Sequence, residues 1–102
     1  LGKWEGEFNT QKILMTTYEN QNGFYYVLEF HSGTYLRKKM QGYLIAMDEN
    51  KFQFDLAGMS MSMPYNIQGF MEAKFTDQNF DQLQITLREI GNPASRISLK
   101  RI

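Results

Sequence analysis

Met59-Ser60-Met61-Ser62-Met63-Pro64-Tyr65-Asn66-Ile67-Gln68-Gly69-Phe70-Met71-Glu72-Ala73-Lys74-Phe75 is the stretch that decides the fold class. Every odd position is apolar or Gly, and the even positions between them are mostly polar. A period of two belongs to extended chain, in which successive side chains point to opposite faces. The stretch therefore predicts β structure. It places Met59, Met61, Met63 and Tyr65 on an inward face with Ile67, Met71, Ala73 and Phe75.

The same alternation extends in both directions. Trp4, Gly6 and Phe8 oppose Lys3, Glu5 and Glu7; Phe24, Tyr26, Leu28 and Phe30 share a face; Phe52, Phe54 and Leu56 alternate with Lys51, Gln53 and Asp55. Leu83, Ile85 and Leu87 follow, and Ile97 and Leu99 close the chain. Residues 12–19 and 34–47 read as strands whose inward phase the alternation does not fix. Between the strands lie Asn, Asp and Gly clusters such as Asn20-Gln21-Asn22-Gly23 and Asp48-Glu49-Asn50, residues that tolerate the positive φ of tight hairpins. Gln41-Gly42-Tyr43-Leu44-Ile45-Ala46 echoes Gln68-Gly69-Phe70-Met71-Glu72-Ala73, as expected for two strands running the same way in a meander. Its glycines read as bends or bulges, and Pro64 as a ladder break.

At 102 residues the chain is a single domain, 1–102. Eight Phe, six Tyr and one Trp suit a pleated, half-buried surface. A sheet of this many short strands with one apolar face must close or fold onto itself. The expected fold is all-β: a closed or nearly closed antiparallel up-and-down barrel of about eight strands. Phe24, Tyr26, Leu28, Phe52, Phe54, Leu56, Leu83, Ile85 and Leu87 are expected inside it. About eight strands enclose either packed side chains or one small ligand.

Eleven basic and eleven acidic residues balance, which argues against nucleic acid as a partner. Without cysteine there are neither disulfides nor thiolate metal sites. No apolar run reaches the roughly 20 residues of a transmembrane helix. The chain opens at Leu1 rather than Met, so removal of an upstream leader is expected, with a periplasmic or cell-surface location preferred to the cytoplasm.

Gly2-Lys3-Trp4, opening the first strand of an all-β meander, resembles the calycin superfamily of lipocalins, fatty-acid-binding proteins, avidins and their short bacterial relatives. The resemblance implies that Trp4 plugs one barrel end and that Arg101, on the last strand, lies across it as a cation–π partner. It further implies a small hydrophobic molecule held in the interior. The chain is shorter than lipocalins, lacks the several tryptophans of avidins, and has no C-terminal histidine of the haem-binding kind, so no specific ligand carries over.

The expected ligand-lining residues are Tyr26, Leu28, Phe54, Met59, Met61, Met63 and Tyr65. Met59, Met61 and Met63 have the spacing of a Cu(I) thioether site, but no His or Cys accompanies them, and lining of a core or pocket is the preferred reading. Arg37-Lys38-Lys39 would turn one side chain inward, toward a ligand carboxylate, or form a solvated strand edge; the edge is preferred. His31 lies at a turn with no nucleophile or metal-spaced partner, so neither an enzyme nor a cofactor is expected. Tyr18, Tyr25, Tyr43 and Phe70 are expected on the outer face, where a cluster would serve self-association or a partner. The alternative function is therefore an interaction or inhibitor module with a solid core, and Ser32-Gly33-Thr34-Tyr35 resembles a loop of small periplasmic lysozyme-inhibitor barrels.

Overall fold

Tight reversals set the strand lengths in the computed structural model, which describes residues 2–61 and 66–102. Asn9 (φ 51°) and Thr10 (φ 65°) form a two-residue turn between β1 (Lys3–Phe8) and β2 (Gln11–Asn20). Gly23 (φ 124°) opens β3 (Gly23–Ser32), Gly33 (φ 60°) precedes β4 (Tyr35–Asp48), and Glu49 (φ 53°) precedes β5 (Lys51–Ser60). β6 (Asn66–Phe75), β7 (Gln82–Glu89) and β8 (Ser95–Arg101) complete the chain. Each strand pairs antiparallel with the next, and β8 returns to β1, so the eight strands close an up-and-down barrel. There is no helix among the described residues, and hence none long and apolar enough to cross a membrane.

The middle of the barrel is solid. Tyr26, Ile13, Leu28, Met40, Met71, Ile85, Leu87, Ile97 and Leu99 are fully buried and fill it from the six strands other than β1 and β5, whose Trp4, Phe54 and Leu56 are also buried. Most charged side chains stand outside, the reverse of the apolar-outside pattern of a lipid-embedded barrel.

The phase of the opening stretch is corrected. β5 buries even positions (Phe54, Leu56, Ser60), whereas β6 buries odd ones (Ile67, Met71, Ala73). The phase changes between Ser60 and Asn66, so the unbroken alternation in sequence spans two strands of opposite phase. Met59 therefore points outward, opposite Lys39 and Asn66, and is 46% exposed. Met61, whose backbone N–H bonds to Arg37 O at 2.7 Å, is 47% exposed. Met63 and Tyr65 lie outside the described residues. Of the expected interior set, Phe24 is corrected to a 45% exposed position at the barrel end, and Phe52 is half-buried; the others are buried.

β4 resisted a single phase because it carries two irregularities. Its register against β3 shifts between Phe30 and His31, leaving Arg37 as the extra residue. Its register against β5 shifts between Leu44 and Ala46, leaving Ile45 extra and bringing Met47 opposite inward-facing Phe52. A bulge bends its strand and increases twist. Gly42 and Gly69, the repeated glycines, occupy inward positions where a Cβ would overlap the carbonyl of Asp55 or Arg88 on the neighbouring strand. Tyr26 sits opposite Gly42, and its hydroxyl donates to that same Asp55 carbonyl at 2.9 Å. The missing side chain thus makes room for a phenol that crosses to the next strand.

Candidate functional site: an apolar cup at the Trp4 end

Where the solid core ends, the barrel opens into a cup of about 340 Å³. Met15 and Thr17 of β2, Leu44 and Met47 of β4, and Phe52 and Phe54 of β5 form one wall. Ala73 and Phe75 of β6, Leu83 of β7, Trp4 of β1 and Arg101 of β8 form the other, with Phe24 at the rim. Each strand contributes because the inward phase of all eight converges there. Tyr26, edge-on to Phe54 at 5.2 Å, marks the floor. Its burial first, and the charge of Asp55 second, raise the phenol pKa far above its ordinary value, so it stays protonated and keeps its bond to the Asp55 carbonyl.

The wall around Trp4 is aromatic. Trp4 lies 5.7 Å from Phe75, which packs at right angles to Phe52 (5.8 Å) and steeply against Phe80 (5.0 Å). Trp4 and Arg101 face each other across the β1–β8 seam, and the guanidinium lies 4.3 Å from the indole centroid. Arg101 Nε donates to Phe80 O at 3.2 Å and lies 3.8 Å from the Asp81 carboxylate. Asp77 Oδ1 holds that loop by accepting from the N–H groups of Asp81 and Gln82, both at 3.0 Å. Thr17, bonded to the Gly2 N–H at 2.7 Å, and Arg101 are polar members of the lining, which Tyr25 also joins. Met47, 67% exposed, and Phe24 form an adaptable lip.

Of the expected ligand-lining residues, the structure brings Phe54 into the cup. Tyr26 and Leu28 lie beneath it in the packed core, and Met59 and Met61 are on the outer surface. Met15, Thr17, Leu44, Met47, Ala73 and Phe75 were not among them. Met15 follows Ile13-Leu14, where two adjacent apolar residues hide the phase; Met47 follows a bulge that reverses it. Among the described residues no three His, Cys, Asp or Glu side chains are grouped to hold a metal. His31 Nε2 lies 3.3 Å from Glu29 on the outer face. Tyr18 stacks on Tyr25 at 5.1 Å, and Tyr25 contacts Tyr43 at 5.3 Å. Phe70 is exposed on β6.

Comparison with protein-family models, with curated proteins and with solved structures finds no match to this chain.

Proposed function

We propose that the protein is a calycin-like, non-enzymatic barrel that binds a small apolar molecule in the cup at its Trp4 end. The observation that carries this reading is the 340 Å³ volume walled by aromatic and thioether side chains with a few polar groups among them. That size falls within the range of small-molecule sites, which combine apolar walls with a few orienting polar contacts. The likeness to calycins rests on Trp4 of the first strand under Arg101 of the last. Flexible Met15 and Met47 favour breadth of ligand over tight selection.

Trp4 is the sole tryptophan, so its emission reports directly on the cup. Titration with N-phenyl-1-naphthylamine is expected to give saturable probe fluorescence together with quenching of Trp4. Met47→Glu, at the exposed lip, should weaken binding at least tenfold, equivalent to about 1.4 kcal/mol, with an unchanged unfolding curve. Probe fluorescence that rises without saturation, or leaves Trp4 emission untouched, would overturn the reading. The tyrosine row on β2, β3 and β4 supports a second reading, an interaction surface. On that reading a concentration-dependent sedimentation coefficient would be abolished by Tyr25→Ser.

A further inference from the structure

The opposite end of the barrel is built differently. There the inward positions turn polar: Gln11 of β2, Ser32 of β3, Lys38 of β4 and Ser60 of β5. With Phe8, Asn9, Phe30 and Arg37 they line a cavity of about 460 Å³. Successive residues of a regular strand point to opposite faces, yet Arg37 and Lys38 both reach this cavity. The β4 irregularity explains it. Phe30 pairs with Lys38 and His31 with Leu36, so Arg37 is the extra residue of a bulge, a device that re-aims a side chain.

The two cations differ in their partners. Lys38 Nζ lies 3.4 Å from Glu89 Oε2 and 5.2 Å from the Phe30 ring centroid. The Glu89 carboxylate is almost wholly buried, lies outside the lining and balances the Lys38 charge. Arg37 is exposed, has its guanidinium 5.7 Å from the Tyr35 ring centroid, and makes no ion pair among the described residues. No carboxylate among the described residues lines the cavity, so a ligand meets positive charge there. An incoming cation would be repelled by both side chains, whereas an oxyanion gains charge-assisted hydrogen bonds from each. A guanidinium grips phosphate-like oxygens with its planar fork, and an ammonium adds a point charge. The amides of Asn9 and Gln11 and the hydroxyl of Ser32 are further donors on the lining. A tetrahedral head with three terminal oxygens uses such a donor set more fully than a carboxylate with two. Phe8 and Phe30 offer an apolar face to the remainder of the molecule.

From this geometry we infer a second binding site at the barrel end opposite Trp4, taking a small organic phosphate or sulfate monoester. Arg37 and Lys38 hold its tetrahedral oxyanion, and Phe8 and Phe30 pack against its ring or chain. The packed middle of the barrel separates this site from the apolar cup, so each can fail without the other.

Titration of the full ¹⁵N-labelled chain with phenyl phosphate and with phenyl sulfate tests it, the tighter of the two identifying the head. Benzyl alcohol supplies the ring without the charge, and inorganic phosphate the head without the ring. Saturating amide shifts centred on Phe8, Phe30, Ser32, Arg37 and Lys38 are expected, with Trp4 emission unchanged. Either half alone should bind roughly tenfold more weakly than the ester. Arg37→Gln, at an exposed position, should weaken binding about tenfold through loss of a charged hydrogen bond and keep the wild-type unfolding curve. Lys39→Gln removes an equal charge from the outer face, opposite Glu29 and Met59, and should leave binding unchanged. Shifts that grow linearly, a half-ligand that binds as tightly as the esters, or equal losses from the two variants would overturn the inference. Shifts gathered around Trp4 would overturn it too, by placing the ester in the apolar cup. If Arg37→Gln does not fold, the wild-type titrations and Lys39→Gln decide it alone.

Discussion

Trp4 is 3% exposed, lies against Phe75 and sits under a guanidinium. Truncation to Ala should cost about 3–5 kcal/mol, the range for removing a large buried aromatic, measured by urea unfolding followed by circular dichroism. Arg101→Gln should cost less, about 0.5–2 kcal/mol for the cation–π contact, because the indole stays packed. Equal losses from the two would mean that the ion, rather than packing, holds the barrel end. Gly42 makes the opposite demand. A Cβ there would overlap the backbone carbonyl of Asp55, and backbone cannot yield as a flexible side chain does. Gly42→Ala should therefore destabilise by about 1–3 kcal/mol, the usual cost of overpacking, and disturb the Tyr26–Asp55 bond. A neutral result would show that β4 can shift away from β5.

Among the elements, β5, β6 and β7 are joined on their outer face by a charge relay. Glu72 accepts from Arg88 Nε at 2.9 Å and lies 3.3 Å from Lys51 Nζ. The Arg88 hydrogen bond, above all, and then Lys51 hold its carboxyl below the ordinary value of 4.5, against an opposing desolvation effect. A folded-state pKa below the unfolded one contributes stability above the unfolded value, and that contribution is lost as pH falls through the folded value. Wild type should thus exceed Glu72→Gln by at most about 1 kcal/mol near neutrality, as expected for a partly exposed network. The difference should vanish on acidification; a gap unchanged into acid would assign it to packing instead. At β4 the consequence of element geometry is larger. Closure of the barrel leaves no strand edge for Arg37-Lys38-Lys39, and the preferred edge reading is corrected: alternation sends Lys38 inward to Glu89.

For the whole molecule, every strand has two hydrogen-bonded neighbours, and the seam joins residues from opposite ends of the chain, Trp4 to Arg101 and Glu5 to Lys100. Such a core should unfold in one cooperative step, with Trp4 fluorescence and far-ultraviolet circular dichroism giving the same urea midpoint. An earlier fluorescence transition would show the seam opening first. The sequence alone determined the β class, the strand number and most of the core, because period-two alternation and turn residues are local consequences of backbone geometry. Phe54, Leu83, Ile85 and Leu87 were legible in this way, since each has polar neighbours on both sides, and Tyr26, Leu28 and Leu56 through the period of two they share with other apolar residues. Only tertiary structure decided which methionines face inward. β5 and β6 bury opposite parities, so an alternation that runs unbroken through both in sequence gave them one phase and misplaced Met59 and Met61, while Met15 and Met47 lay hidden in apolar pairs and behind a bulge. It alone also decided that the middle is filled and that the volume lies at the ends. Packing depends on how eight strands taper together, a sum over distant residues that no local pattern contains.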